Sequence, residues 1–329
     1  MARANPSNDP CRQLADEIKA RRNAARSIED ARKVVIFGEE SLRKCPASYA
    51  VKSALAYSIF KAEIQLAPDL SDGDGKALTT AIERIRECMA HGPYHPTSAF
   101  VPALSAAAKK LSRSGVPALR REAVRLVKLV DVNEVSRDRS GTFPSHAETF
   151  FIAASEVLAT DTQCRADLIK MCRIALKPGV FADVASSAWV RFRLARAIEN
   201  DSPEEALALL DGLPEGARED RMESLFVRLL HGAGRDEEAL TMATGHVKRA
   251  DFGKLEFAHP LMVTLTELMA DGPTRTQLIV FLQHFGQNKR ARGVDLKVAV
   301  AASALGLPEP ETMTDAQLVV MFADLKSDL

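Results

Sequence analysis

The sequence predicts an all-α fold, and its hydrophobic pattern, composition and length together support this class. Apolar residues recur at intervals of three and four almost throughout, and no useful stretch alternates with the period of two that is typical of β-strands. The chain is 46% hydrophobic and 27% charged, which is usual for globular proteins and argues against disordered and collagen-like classes. Its 329 residues are enough for one elongated domain or two compact ones.

The helical periodicity divides the chain into short segments separated by turn-forming residues. Ser202-Pro203-Glu204-Glu205 is one predicted helix start, because it combines a capping residue, a proline preset for the first turn and carboxylates at the positive end of the helix dipole. We predict about eight antiparallel helix pairs. The predicted helices span residues 11–24, 28–44, 47–66, 75–90, 97–113, 117–132, 145–159, 163–177, 183–199, 203–211, 217–231, 235–249, 257–270, 274–285, 294–305 and 314–326.

The polar segments suggest how these helices are organised into regions. Residues 1–10 are polar and contain two prolines, so we expect a disordered tail there. The longest polar stretch between helices is 136–144. It is the predicted boundary between a basic helical region over 11–135 and a second helical region over 145–329.

Two segments of the second region align with each other. Asp201–Leu207 and Gly234–Leu240 both contain Glu-Glu-Ala-Leu, and the alignment places Ala206 and Ala239 33 residues apart. In this respect the chain resembles the tetratricopeptide repeat family, whose helix-turn-helix unit has 34 residues and a small residue early in its second helix. The resemblance implies a right-handed α-α superhelix of helix pairs. A further unit has Phe150, Ala153, Ala154 and Val157 on its first helix, Ala166 on its second and Pro178 at its end.

The resemblance also implies an extended concave surface, lined by one face of each first helix. Two stripes with a 3-4-3 spacing lie on such faces, and their arginines are suited to bind an acidic peptide or a carboxylate. The alternative is that these arginines belong to ordinary solvated helix faces. The predicted groove residues are Arg191, Ala195, Arg221, Ser224, Arg228 and His231.

A second basic feature lies on the predicted helix from Pro117. At 100° per residue, Leu119, Ala123, Leu126, Val127 and Val130 form its buried stripe, and basic side chains gather on the far side. These side chains are a candidate anion or nucleic-acid patch, although no aromatic residues lie between them for base stacking. The patch residues are Arg120, Arg121, Arg125 and Lys128.

The net charge is zero, but the charge is unevenly distributed along the chain. Residues 1–200 carry 31 basic and 23 acidic side chains, whereas residues 201–329 carry 13 and 21. Such an asymmetry steers an acidic partner to the N-terminal half or brings copies of the chain together head to tail. Solvated helix faces are the alternative explanation.

The cysteine content and the N-terminal segment indicate the cellular compartment of the protein. The five cysteines are an odd number without a C-x-x-C pair, so we expect no disulfide framework, and a reducing compartment. Cys88, His91 and His95 are not expected to bind a metal, because Gly92 and Pro93 interrupt any shared helical face. No secretory signal or membrane-spanning run is present, and we predict a cytoplasmic protein without a membrane partner.

These observations lead to one main functional hypothesis and two alternatives. The first is a non-catalytic scaffold without a cofactor that binds a protein or an acidic peptide in its concave face. The second is a nucleic-acid-binding protein or transcriptional regulator that uses the basic N-terminal half. Residues Leu14–Arg22 and Ser27–Ala31 resemble the opening helices of bacterial helix-turn-helix repressors, but Val34–Gly38 continue an apolar helix where a recognition helix is needed. An enzyme without a recognised motif is the third.

Overall fold

The computed structural model describes residues 9–67, 74–89, 100–135, 146–288 and 296–329. Across these ranges the chain is helical and has no strand, and each predicted helical segment contains an α-helix. The predicted all-α class is therefore confirmed. The expected tail within 1–8, the polar segment 136–144, and His91 and His95 lie outside the described residues.

The described helices form two compact units, residues 1–194 (unit 1) and 195–329 (unit 2). Helix α10 begins in unit 1 and ends in unit 2. Unit 1 contains α1 (Pro10–Ala24), α2 (Ile28–Lys44), α3 (Tyr49–Phe60), α4 (Asp74–Met89), α5 (Phe100–Ser112), α6 (Pro117–Lys128), α7 (Val132–Val135), α8 (His146–Leu158), α9 (Arg165–Ala175) and the start of α10 (Ala188–Ile198). Unit 2 contains α11 (Pro203–Asp211), α12 (Asp220–Gly232), α13 (Asp236–Arg249), α14 (Leu255–Leu268), α15 (Pro273–Asn288), α16 (Leu296–Ala304) and α17 (Asp315–Asp328).

Local chemistry explains where several helices begin. The Ser27 hydroxyl accepts a hydrogen bond from the backbone N–H of Asp30 at 3.1 Å and so caps α2. Pro203 occupies the first turn of α11, as predicted, but the Ser202 side chain makes no capping hydrogen bond. Thr314 and Gln317 form a reciprocal capping box at the start of α17.

In unit 1 the helices pack mainly against their sequence neighbours. Helix α3 contacts α1, α2 and α4, while α5 contacts α4, α6 and α8, and α8 contacts α6 and α9. Gly38 in α2 allows a close approach to α3, because a Cβ there would lie 2.9 Å from Leu55 Cδ1. Phe150 and Phe151 on α8 are fully buried and meet edge to face, with ring centroids 5.5 Å apart.

Helices α5, α8 and α10 also share a charged cluster centred on Glu156. Arg113 donates to the Glu156 carboxylate at 2.9 Å, and the cationic groups of Lys109 and Arg193 lie 3.4 and 3.6 Å from it. The Arg193 side chain is only 11% exposed and also donates to the Ser155 hydroxyl at 2.8 Å. Burial lowers the pKa of Arg193, while the charge of Glu156 opposes that effect. This cluster joins three helices within unit 1.

Unit 2 is organised around α12. This helix contacts α11, α13 and α14, and most of its side chains from Met222 to Leu230 are buried. Gly234, with φ of +73°, adopts the left-handed conformation that allows the chain to turn from α12 to α13. Nearer the C-terminus four rings pack together with centroid separations of 5.4 to 6.3 Å. These rings belong to Phe252, Phe281, Phe285 and Phe322.

The cysteine prediction is wrong, because Cys11 and Cys45 form a disulfide bond with a Cα–Cα separation of 5.8 Å. The bond joins the start of α1 to the residue that follows α2, so it closes the first helical hairpin. Cys88, Cys164 and Cys172 are free thiols, and the last two are buried. Burial raises the pKa of the Cys172 thiol to about 12.

Three further predictions can be compared with these elements. The predicted boundary at 136–144 lies outside the described residues, and the helices on either side of it belong to unit 1, where α8 packs against α5 and α6. Ala206 and Ala239 are fully buried where their helices meet neighbours, whereas Ala166 is exposed and does not serve as a close-packing residue. Helix α2 runs without a break through Val34–Gly38, so no polar recognition helix stands there.

Within the residues described, no helix combines the length and the apolar character needed to cross a membrane.

Candidate functional site

The predicted basic patch lies on the outer face of α6. Ala123, Leu126 and Val127 point into the core of unit 1, and Arg121, Arg125 and Lys128 are exposed. Arg120 is half-buried at the edge of this face. The burial pattern therefore follows the predicted amphipathic division of the helix.

Ion pairs divide the patch into two parts. Arg125 donates to the Glu122 carboxylate at 2.7 Å, and Lys128 Nζ lies 2.6 Å from Asp167 Oδ2 on α9. The hydrogen bond with Asp167 raises the pKa of Lys128. In the part of the chain that the structure describes, Arg120 and Arg121 form no ion pair, so their charge is available to a ligand. The Lys128–Asp167 pair brings the last turn of α6 close to the first turn of α9.

A cavity of about 280 Å³ opens beside Arg120 and Arg121. The turn after α8 forms its other wall, where the Asp161 carboxylate accepts a hydrogen bond from the backbone N–H of Gln163 at 2.9 Å. The two arginines thus face a concave space that also contains one carboxylate. The lining residues are Pro117, Arg120, Arg121, Thr160, Asp161 and Gln163.

A larger cavity, of about 590 Å³, lies along α9. Its floor includes the half-buried Ile169 and the nearly buried Ile174, and basic side chains stand at its rim. Lys170 and Lys177 are exposed and form no ion pair among the described residues. This groove therefore combines apolar surface with positive charge. Its lining residues are Asn133, Ala166, Ile169, Lys170, Arg173, Ile174 and Lys177.

We call the two cavities and the face between them the α6–α9 surface. It is formed by the basic side chains of α6 and by those on and just after α9. The α9 residues are not among the predicted site residues, although Lys170, Arg173 and Lys177 are spaced by three and four, which indicates a single basic helix face. The basic residues of this surface are Arg120, Arg121, Arg125, Lys128, Lys170, Arg173 and Lys177.

The groove predicted on α10 and α12 needs correction at two positions. Ala195 is fully buried and Ser224 is 6% exposed, so neither offers surface to a partner. Ser224 is buried because α11, α13 and α14 enclose α12 on several sides. Arg221 and Arg228 are exposed and His231 is half-exposed.

The remaining groove residues have local partners. Arg228 donates to the Glu199 carboxylate at 2.8 Å, and His231 Nδ1 lies 2.8 Å from Asp236 Oδ1. Arg191, in unit 1, donates to the Ser187 hydroxyl at 2.9 Å, and burial lowers the pKa of Arg191. The structure thus places Arg191 in unit 1 and the other five predicted groove residues in unit 2.

Unit 2 has two further cavities near its C-terminal end, of about 500 and 410 Å³. Both are lined by the segment Leu307–Pro310, and His284 Nδ1 lies 2.8 Å from the carbonyl oxygen of Glu311 beside them. Their charged lining residues are the acidic Glu309 and Glu311. The charge of these cavities is therefore opposite in sign to that of the α6–α9 surface.

Across the described ranges, no three His, Cys, Asp or Glu side chains are grouped so that they could hold a metal ion. Comparison with protein family models, curated protein sequences and solved structures finds no match. The resemblance to tetratricopeptide repeats therefore depends on the aligned residues described above.

Proposed function

We propose that this protein acts by binding another protein rather than by catalysis, and that the α6–α9 surface holds an acidic segment of the partner. The observation that carries the proposal is the groove along α9, where Lys170 and Lys177 flank an apolar floor. An acidic segment with apolar residues would bury its side chains against Ile169 and Ile174 and pair its carboxylates with the rim.

The spacing of the lysines suggests the form of the bound segment. Lys170 lies on α9, and Lys177 lies two residues after the helix ends at Ala175. In polyproline II conformation, residues i and i+3 face the same side and are separated by about 9 Å. A segment with acidic residues at every third position therefore presents its carboxylates on one side, toward the two lysines.

The proposal extends to the arrangement of the helices as tetratricopeptide-like pairs in a right-handed superhelix. Burial of Ala206 and Ala239, at the aligned positions of α11 and α13, supports this arrangement. The packing of α12 against both helices supports it as well.

The test uses a fluorescent nine-residue peptide that carries Glu at every third position and Pro or Leu between. We expect the wild type to bind it with an affinity that weakens as salt is added, and Lys170→Glu/Lys177→Glu to weaken binding at least tenfold. A peptide with Lys in place of Glu should not bind. The matched control, Lys248→Glu/Arg249→Glu, makes the same charge change at two exposed residues of α13 and should bind like the wild type.

Two results of this experiment contradict the proposed site. Equal binding by Lys170→Glu/Lys177→Glu and the wild type would remove the α6–α9 surface from the proposal. Loss of binding in Arg228→Glu instead would move the site to the groove predicted on α12. Circular dichroism of each variant establishes that its helix content is unchanged.

A second candidate function is nucleic-acid binding by the same surface. Its seven basic side chains, of which Arg120 and Arg121 form no ion pair in the described residues, favour this candidate. Asp161 and Asp167 lie within the surface and would repel a phosphate backbone. Binding of a labelled single-stranded or duplex DNA more tightly than the acidic peptide, with a steep salt dependence, would favour nucleic acid.

A further inference from the structure

The two compact units carry opposite charges of equal size. Residues 1–194 include 30 basic and 22 acidic side chains, and residues 195–329 include 14 and 22. The uneven charge seen along the sequence therefore coincides with the division between two folded units. Because the whole chain has a net charge of zero, two copies approach each other without long-range repulsion.

Five of the 22 acidic side chains of unit 2 lie in the first turns of α11 and α13. These turns contain Glu204 and Glu205, and Asp236, Glu237 and Glu238. Both helices pack against α12, and both turns belong to the segments that align in the sequence. We call these five residues the acidic surface of unit 2.

Local pairing neutralises part of this acidic surface. Asp236 lies 2.8 Å from His231, and Arg235 donates to the Glu238 carboxylate at 2.7 Å. Glu204 and Glu237 are exposed and have no ion pair among the described residues. Lys170 and Lys177 on the α6–α9 surface are likewise exposed and have no ion pair among the described residues.

We propose that the partner of the α6–α9 surface is the acidic surface of a second copy of this chain. The inference rests on the proposed function, since it uses the same basic surface, and it names as occupant the first turns of two folded helices in place of an extended segment. Charge complementarity supports this choice, because each copy supplies a basic surface in a unit with a net charge of +8 and an acidic surface in a unit with a net charge of −8. Lys170 and Lys177 of one copy pair with Glu204 and Glu237 of the next.

This contact joins two different surfaces, so it is heterologous. A heterologous contact leaves one basic surface and one acidic surface unused at the ends of each assembly, and further copies add to them unless a ring closes. The assembly therefore grows with protein concentration. Its exposed charges are screened within about 8 Å at physiological salt, so association weakens as salt is added.

Two neutralising variants separate the surfaces in an experiment. Lys170→Gln/Lys177→Gln removes the basic half of the contact, and Glu204→Gln/Glu237→Gln removes the acidic half. We expect sedimentation equilibrium of the wild type at low salt to give a mean mass that rises with concentration above the monomer mass of 35.8 kDa. High salt should return it to the monomer mass.

Each variant alone should remain a monomer, because it keeps only one half of the contact. An equimolar mixture should form dimers and nothing larger, since one intact basic surface meets one intact acidic surface. A wild type that stays monomeric at low salt overturns the inference, as does a mixture that does not dimerise. If association fails but the acidic peptide binds in the same preparation, the proposed function stands without this partner. If the peptide also fails to bind, both the proposed function and this inference fail.

Discussion

Removal of the Cys11–Cys45 disulfide should destabilise unit 1, with the largest effect on α1. The bond spans a sequence separation of 34 residues. In the chain-entropy description, a cross-link of that length restricts the unfolded chain by about 4 kcal/mol at 25 °C. Helix α1 fully buries only Ala15 and Ile18, which contribute roughly 3 kcal/mol. The cross-link therefore contributes at least as much to the free energy of unfolding as the buried apolar side chains of α1, the helix that it holds.

The experiment compares the oxidised wild type with Cys11→Ser/Cys45→Ser by urea unfolding, followed by circular dichroism. We expect the free energy of unfolding of unit 1 to fall by about 2–4 kcal/mol. Hydrogen exchange followed by mass spectrometry should show faster exchange in α1 than in α5 or α8, since those helices keep all their contacts. Cys88→Ser, which removes a half-buried free thiol, is the control and should leave α1 unchanged.

Two findings would refute this reasoning. One is alkylation of Cys11 and Cys45 in the folded protein without a reductant, which would mean that the bond is absent. The other is a double variant whose free energy of unfolding is within about 1 kcal/mol of the wild type and whose α1 exchanges no faster. The second result would show that α1 is held by its packing against α2 and α3 alone.

Three further predictions concern the interior. Glu156→Gln should lower the free energy of unfolding by about 2 kcal/mol at pH 7. Burial acts to raise the pKa of Glu156, but the hydrogen bond from Arg113 and the neighbouring cations outweigh it and hold that pKa below its ordinary value. The stabilisation by the Glu156 charge is therefore present above about pH 4.5 and is lost as the pH falls through the lowered pKa. Urea titrations between pH 7 and pH 4 should show that the deficit of the variant shrinks, and a constant deficit would contradict this origin. Phe281→Ala should cost about 3–5 kcal/mol in thermal or urea unfolding, since the ring is fully buried and packs against two other rings; a loss below about 1 kcal/mol would show that the cluster repacks. Cys172 should resist maleimide at pH 8 in the folded protein and react after unfolding, because its pKa is raised to about 12 by burial; rapid labelling of the folded protein would mean that α9 opens readily.

Local sequence signals predicted the helices well. Helix α2 was predicted over 28–44 and spans Ile28–Lys44, because its N-terminal cap and its apolar stripe both lie within the segment itself. The covered and open faces of α6 also follow from local periodicity, since the buried and exposed residues alternate within the helix itself. Signals of this kind need no knowledge of distant residues.

Features that depend on distant residues could not be predicted in this way. The pairing of Cys11 with Cys45 requires α1 and α2 to fold back on each other, which neither cysteine's neighbours encode. Ser224 was placed on an open stripe because helical periodicity does not reveal how many neighbours enclose α12. The groove along α9 likewise needs Asn133 from α7 to complete its wall.

The division of the chain at Leu194 also bears on the order in which the protein is made. The Cys11–Cys45 bond, the Glu156 cluster and the paired rings of Phe150 and Phe151 all lie within the first 194 residues. Domains generally form as units while synthesis proceeds from the N-terminus. The ribosome has therefore translated every residue of the basic unit's core before it reaches α11. Interrupted synthesis yields the basic unit without the acidic one, and never the reverse.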